Sequence, residues 1–409
     1  MAEKLSFDSP RGMRDFYPAD MVWRNKVFDA FRAAGEAAGF QPYDACVVEN
    51  YDLLARKSGE EVGEQIYHFL DKSERHIALR PEMTPTLARM VAQRQKELSF
   101  PLKWTTIAQC FRYERMTKGR KREHYQWNVD IIGEESVLAE VEVLGAAIDA
   151  LKRMGLGLND FKVHVSSRKY LSSLLSQSGI SPDKHVSVFL ALDKRGKMPD
   201  SEIGAMLIDG GLSQSEVDAA FAIMNTNSFD ACPELVELFR LAKIAGFAEA
   251  LVFDISVIRG LSYYTGVVFE CFDAKGEFRA IFGGGRYDNL LTAIGGEQAT
   301  AVGLGFGDVV VTELLKSRLG ENSARERSGV AIGYMTPAEL DAALSFASKL
   351  RARGEKVDLS LSAQKPKKFF SRADQNGAEY AAYIGPDDVS SGKVRVKNLL
   401  TREEMLDEI

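Results

Sequence analysis

The sequence predicts an α+β protein: a β-rich body interrupted by a helical insertion, followed by a separate, smaller α/β domain. Three observations carry this. Helical and strand-like segments mix through residues 1–165, helical segments alone fill about 170–250, and strand character resumes straight afterwards. After a polar stretch, ENSARERS, short strands and helices alternate to the C-terminus, so residues 1–325 and 326–409 read as two domains.

The segment MVWRNKVFDAFRAAGEAAGF has apolar residues at helical spacing and ends in Gly39. Extended runs follow at YDACVVEN and YHFLDKSERHIALR, the second turning at DKSE. A strand pair, WTTIAQCFRYER and REHYQWNVDIIG, brackets the basic loop MTKGRK, and SVLAEVEVLGAAIDALKRMG then reads as a helix. SEIGAMLIDGG, SQSEVDAAFAIMN and CPELVELFRLAKIAG are the helices of the insertion. ALVFDISVIRG, YYTGVVFECFD and FRAIFGGGRYD are β-rich, with a hairpin turn at DAKGE, and AVGLGFGDVVVTELLKSRLG starts extended and ends helical. The C-terminal pattern is strand (GVAIGYM), helix (PAELDAALSFASKLRARG), strand (KVDLSL), helix (KPKKFFSRADQNG), strands AEYAAYIG and KVRVKNL, and a final helix, TREEMLDEI.

Composition narrows the function. Of the 409 residues 45% are hydrophobic and 27% charged, and 52 basic against 58 acidic residues leave a net charge of −6, so no global basic field marks a nucleic-acid binder. The four cysteines (Cys46, Cys110, Cys232, Cys271) are scattered, which argues against a disulfide framework or a zinc ribbon and fits a reducing cytoplasm. No apolar stretch nears the ~18 residues needed to span a bilayer, and the charged start is unlike a signal peptide. P-loop, GxGxxG, HExxH and GxSxG signatures are absent.

What stands out is charge inside strands and turns. In LRPEMTPTLAR, Arg80, Glu82 and Thr84 alternate, which on an extended chain puts them on one face; a carboxylate beside a hydroxyl can hold an ammonium group, or be a solvated strand end. Arg112 and Glu114 are read as sharing one strand face, and Gln126, Asn128 and Asp130 a face of the next. Between them Lys118, Arg120, Lys121 and Arg122 surround Gly119, a loop suited to polyphosphate or an RNA end because guanidinium forks bind phosphate bidentately. Such charges on an inner face are costly without partners. Arg259, read at a strand end, precedes Gly260 and the Tyr263–Tyr264 pair, an arrangement able to clamp a carboxylate or phosphate, or else an aromatic core pair beside a surface arginine. Gly283, Gly284 and Gly285 admit a close backbone approach or a tight hairpin.

Together these segments resemble the class II aminoacyl-tRNA synthetases, and among them the histidyl-tRNA synthetase family. FRYER…KGRKREHYQWNVDIIG is similar to the motif 2 strand–loop–strand of the class, and IRGLSYYTG and GGGRYD to two signatures specific for histidine. RGMRDFYP and LRPEMTPTLAR also match, and residues 328–409 resemble the family's anticodon-binding domain. The resemblance implies a class II antiparallel sheet with flanking helices. It implies ATP-dependent ligation of L-histidine to tRNA(His) through a histidyl-adenylate.

It also implies roles. Arg112 and Arg259 flank the α-phosphate; Glu114 contacts adenine and Arg120 the γ-phosphate. Glu82, Thr84 and Gln126 receive the α-amino group, Asp130 and Tyr264 hold the imidazole nitrogens, and Tyr263 completes the histidine site. Mg2+ is implied as the companion of ATP, with no metal-ligand cluster of the protein's own, and a homodimer is implied by the family alone. Three positions depart from the family pattern: Val310 stands where motif 3 usually has an arginine, Cys46 where motif 1 has a proline, and Ser262 where an aspartate often precedes the tyrosine pair.

Two other readings compete. A histidine-binding regulatory subunit of ATP phosphoribosyltransferase shares the fold, but generally lacks the C-terminal domain and erodes the motif 2 arginines. An amino-acid ligase with a non-tRNA acceptor would be expected to lose the basic residues Lys365, Lys367, Lys368, Arg372, Lys393, Arg395 and Lys397.

Overall fold

The computed structural model describes residues 6–55, 65–115, 119–195, 198–259, 263–320 and 327–409. The chain forms two compact units, Met1–Gly320 and Glu321–Ile409.

In the first unit the helix Pro18–Ala37 leads to β1 (Gln41–Pro42) and to a three-stranded sheet of β2 (Val48–Asn50), β3 (His68–Leu70) and β4 (His76–Leu79) in the order β2-β4-β3. The hairpin at DKSE is present: Asp71 accepts from the backbone of Ser73 and Arg75. The extended reading of LRPEMTPTLAR fails, because β4 stops at Leu79 and Thr84 opens the helix Thr84–Arg94 with Pro85 in its first turn. Proline's fixed φ and missing N–H suit that position and end the strand.

The main sheet then takes β5 (Leu102–Phe111), β6 (Glu123–Ile132), β7 (Phe161–Ser167), β8 (Leu251–Phe253), β9 (Val267–Asp273), β10 (Phe282–Arg286) and β11 (Ala301–Gly307). Its order is β1-β5-β6-β11-β10-β9-β7-β8. The six central strands are antiparallel, and β1 and β8 join the two ends in parallel. Because β11 inserts between β6 and β10, segments more than 150 residues apart in sequence become neighbours.

Alternation on β6 sorts the two faces. Trp127, Val129 and Ile131 face the helices: Phe31 of Pro18–Ala37 stacks on Trp127 with centroids 4.8 Å apart and meets Phe306 edge-on at 4.8 Å. Gln126, Asn128 and Asp130 face the other way, in register with Gly307, Gly305 and Gly303 of β11. Gly305 and Gly303 are in turn opposite Gly283 and Gly285 of β10. One face of two central strands is thus nearly bare of side chains.

The insertion follows β7 as the helices Arg168–Gln177, His185–Leu192, Asp200–Asp209 and Gln214–Ile223, around a core of Leu171, Leu175, Val188, Leu207 and Val217; its last helix, Pro233–Ile244, packs instead against the helix Leu138–Arg153.

In the second unit, β12 (Val330–Tyr334), β13 (Val357–Leu359), β14 (Tyr380–Ile384), β15 (Lys393–Asn398) and β16 (Glu404–Glu408) form a sheet in the order β13-β12-β14-β15-β16. TREEMLDEI is therefore not a helix but mostly the edge strand β16, antiparallel to β15. A nine-residue isolated helix is marginal in water, whereas pairing satisfies the open edge of β15. Asp407 there meets Lys349 of the helix Leu340–Ala352 and Arg353 at its C-terminal cap. A short helix, Pro386–Ser391, was not anticipated from the sequence.

Candidate functional site

On the bare face of the main sheet lies a cavity of about 1000 Å3. Its walls bring together Glu82, Thr84, Arg112, Glu114, Arg120, Gln126, Arg259, Tyr263 and Tyr264, nine of the ten candidate residues. Asp130, the tenth, lies beneath Gly303 and Tyr287, which do line the cavity.

The glycines make this possible. A Cβ on Gly303 would collide with the Asp130 carboxylate, one on Gly305 with the Gln126 amide and one on Gly283 with the Arg259 guanidinium. Gly284 faces the other way, where a Cβ would strike the β11 backbone and Phe269. The triple glycine is thus neither a hairpin nor a turn; it is the floor on which the site's side chains lie.

Arg112 and Glu114 are not on a strand, since β5 ends at Phe111. Arg112 lies in the segment that follows, with Nε donating to the Pro81 carbonyl at 2.9 Å, which holds it beside Glu82. Arg259 is also not at a strand end. It lies six residues past β8 with φ of 61°, a left-handed conformation that costs a residue with a side chain about 1 kcal/mol. Its Nη1 donates to Glu270 at 2.5 Å. Burial acts to lower the Arg259 pKa, but Glu270 and the two tyrosines outweigh it and the net shift is upward, so the cation is secure.

Burial raises the Glu82 pKa, opposed by Arg112, by the Tyr263 hydroxyl (3.0 Å) and by Arg259. Burial likewise lifts Asp130 to about 7, against a 2.6 Å hydrogen bond from Tyr287. Each carboxylate keeps one buried oxygen, Glu82 Oε1 and Asp130 Oδ2, with no partner. Two orphaned acceptors in one region are costly, and a ligand carrying two separated N–H groups can satisfy both. His124, also in the wall, is held neutral: burial and then Arg112 lower its pKa to about 3.

The other end of the cavity is basic. Arg120 pairs with Glu114 at 2.9 Å, so the two residues expected at opposite ends of ATP meet each other. Arg122, expected beside the phosphates, instead packs on Gly12 and over Tyr113, its guanidinium 3.7 Å from the ring centroid. Lys118, Gly260 and Ser262 fall outside the described residues. Sequence reasoning missed Lys194 and Asp193 from the insertion, Glu270 from β9 and Arg279 from the β9–β10 connection, all in the wall. A Cβ on Gly119 would lie 3.4 Å from Val310 Cγ2 and 3.9 Å from Arg279 Cδ, so an arginine stands near the position where Val310 replaces one. The only available signal was that arginine's place in a strand connection next to the glycine floor.

RGMRDFYP is a strap rather than part of the cavity. Arg14 donates to Asp308 at 2.9 Å and to the Glu123 carbonyl at 3.3 Å, tying the N-terminal segment to β6 and to the helix Asp308–Leu319. Arg286 of GGGRYD points away from the site and grips Glu140 through two 2.7 Å bonds. Cys46 is exposed, with Sγ 3.9 Å from both Glu49 and Arg89. Among the described residues no group of three or more His, Cys, Asp or Glu is placed to hold a metal ion, and no helix is long and apolar enough to cross a membrane.

A six-stranded antiparallel core with helices against one face and a charged, glycine-floored cavity on the other is the catalytic body of a class II aminoacyl-tRNA synthetase. A family model described as histidyl-tRNA synthetase matches residues 12–307, and one described as an anticodon binding domain matches 329–407. The chain belongs to the histidyl-tRNA synthetase family. It is 42% identical over 414 residues to the chloroplastic/mitochondrial histidine–tRNA ligase of Arabidopsis thaliana, covering 98% of this chain and 85% of that protein. The histidine–tRNA ligase of Leptospira biflexa is 37% identical over 418 residues, covering 98% and 95%. In fold it resembles the crystal structure of histidyl-tRNA synthetase from Nostoc sp. PCC 7120, with a TM-score of 0.81 at 22% identity over 99% of this chain and 97% of that one.

Proposed function

We propose that the protein ligates L-histidine to tRNA(His) in two steps at this cavity. The histidine carboxylate attacks the α-phosphorus of ATP, a P–O bond forms to the amino acid, and pyrophosphate leaves with the electrons of the broken bond. A ribose hydroxyl at the tRNA end then attacks the acyl carbon of the adenylate, and AMP leaves.

The observation that carries this reading is that Glu82, Arg112 and Arg259 line one cavity with Asp130 beneath its glycine floor, each carboxylate keeping a buried oxygen without a partner. Glu82, with Thr84 and Gln126, receives the ammonium group. Asp130 and Tyr264 take the imidazole nitrogens, and Tyr263 orients Glu82. Groups set for an N–H donor at this depth are left unpaired by the wrong side chain, a penalty large enough for selectivity of ~10⁴. Arg112 and Arg259 offset the repulsion between two anions and the charge that develops on the α-phosphate, commonly the largest contribution to such a step. Glu114, released from Arg120, meets adenine, and Arg120 turns to the γ-phosphate along with Lys121 and Arg279.

Magnesium enters with ATP as part of the substrate. The second unit reads the anticodon end of tRNA(His). The protein acts in the cytoplasm as a homodimer; the dimer is supported by the exposed apolar residues Val48, Phe69 and Leu70 on the small sheet and Val47 just before it.

The test is histidine-dependent ATP–pyrophosphate exchange, run with each of the twenty amino acids. Histidine alone should support exchange, and Arg259→Ala should lower it by about 10³-fold or more with little change in thermal stability. Exchange with another amino acid, or near-normal exchange in the variant, overturns the assignment.

A further inference from the structure

Arg168 is buried at the first position of the helix Arg168–Gln177, where the insertion leaves β7. It carries no role in the chemistry above, yet its side chain is directed at one segment of the site. Nε donates to the carbonyl of Ile258 at 3.1 Å, Nη1 to that of Tyr264 at 3.1 Å, and Nη2 to that of Arg259 itself. Its backbone N–H donates to Gly266 at 2.9 Å. The guanidinium carbon lies 5.3 Å from the Phe189 ring centroid and 5.9 Å from that of Tyr264, and the charge of Asp193, in the cavity wall, acts on it.

Arg259 needs such a brace. Its backbone is left-handed at φ 61°, and a conformation of that kind persists only where surrounding structure over-determines it. The carbonyls of Ile258 and Arg259 fix the direction in which the Arg259 side chain leaves the main chain, and that direction lays the guanidinium over Gly283 beside Glu270. A planar fork with five fixed donors can span several carbonyls at once, which an ammonium group cannot.

We propose that Arg168 is a positioning residue for amino-acid activation: by gripping the carbonyls of Ile258, Arg259 and Tyr264 it sets the Arg259 guanidinium on the cavity floor and makes the first helix of the insertion a buttress of the active site. The proposal rests on the reading of Arg259 as a residue that neutralises the α-phosphate. Arg168 touches no substrate, so its loss shows in the rate of the chemical step. A displacement of about 1 Å at a reacting group costs about 10² in rate.

The test uses the full chain and exchange kinetics with Arg168→Met, Arg168→Lys, Arg259→Ala and the Met/Ala double variant, each checked by a thermal melt. Arg168→Met is expected to lower kcat about 10²-fold with the histidine KM within threefold, and Arg168→Lys to recover about tenfold of that loss. The double variant should be no slower than Arg259→Ala alone. An Arg168→Met enzyme with kcat near normal while Arg259→Ala is inactive overturns the positioning role and leaves the Arg259 reading intact, as do independent, multiplying losses in the double variant. Normal exchange in Arg259→Ala overturns both. If Arg168→Met does not fold, Arg168→Lys decides: a normal melt with about tenfold lower kcat supports the proposal, and a normal kcat refutes it.

Discussion

The Tyr263 hydroxyl donates to Glu82 Oε2 at 3.0 Å, joining two residues 181 positions apart into one receptor. Glu82 is buried and Tyr263 half-buried, and burial drives the Tyr263 pKa well up, so the phenol stays protonated and remains a donor. Its hydrogen bond, after the charge of Arg112, helps keep a buried carboxylate ionised.

Removing that donor therefore raises the Glu82 pKa further. Ammonium binding requires the carboxylate, so kcat/KM for histidine falls as pH drops through the Glu82 pKa, and Tyr263→Phe moves this acid limb to higher pH. A hydrogen bond to a charged group contributes about 1.5–3 kcal/mol, which corresponds to a rise of roughly tenfold or more in histidine KM near neutrality. Exchange kinetics across the acid limb provide the check, and a variant with an unshifted limb contradicts it.

Asp130 makes a prediction of opposite sign, read in stability. Burial lifts its pKa from 3.8 to about 7 in the folded chain. A carboxyl with a raised folded pKa stabilises most at low pH, and that contribution is lost as pH climbs through about 7. The ligand-free protein should lose stability between about pH 4 and pH 7, with Asp130 contributing on the order of 4 kcal/mol at most. Asp130→Asn should flatten the curve, and histidine should stabilise the wild type but not the variant. Urea denaturation at the two pH values measures this, and parallel curves for the two proteins refute it.

The floor of the cavity is equally exposed to test. Gly303→Ala drives a methyl group into Asp130 and Gly305→Ala into Gln126, while a Cβ on Gly307, on the same face, meets nothing within 4 Å. Overpacking of this kind costs about 1–3 kcal/mol. The first two variants should lose histidine-dependent exchange by about 10²-fold and melt earlier, and Gly307→Ala should melt like the wild type. Equal melting of all three would show that the site's side chains do not lie where the glycines leave room.

Much of this was legible in sequence because alternation on β6 separates Gln126, Asn128 and Asp130 from Trp127 and Val129 without reference to any partner strand. The glycines were ambiguous for the opposite reason. Gly283 is explained only by Arg259 and Gly303 only by Asp130, contacts that cross strands and cannot be read along one. Arg286 shows the same limit: it sits inside a site motif, yet alternation places it on the far side, where it grips Glu140. TREEMLDEI was misread because its short polar pattern is undecided by itself, and the unpaired edge of β15 decided it.

The second unit offers a test in which stability and function should move in opposite directions. Lys365, Lys367 and Lys368 are exposed at the start of the helix Pro366–Gln375, whose first turn holds no acidic residue. Cations there oppose the helix dipole at a cost of about 0.3–1 kcal/mol each, an arrangement that suits an anion drawn to the same end. Charge reversal of Lys367 and Lys368 to Glu should therefore raise the melting temperature of the chain slightly. It should leave ATP–pyrophosphate exchange unchanged and raise the KM for tRNA. Each lost phosphate contact lowers the salt dependence of tRNA binding by about one unit of log–log slope. Binding measured between about 50 and 200 mM salt reads this slope; a slope equal to that of the wild type means these lysines do not meet the nucleic acid, and a drop in melting temperature means they serve the fold instead.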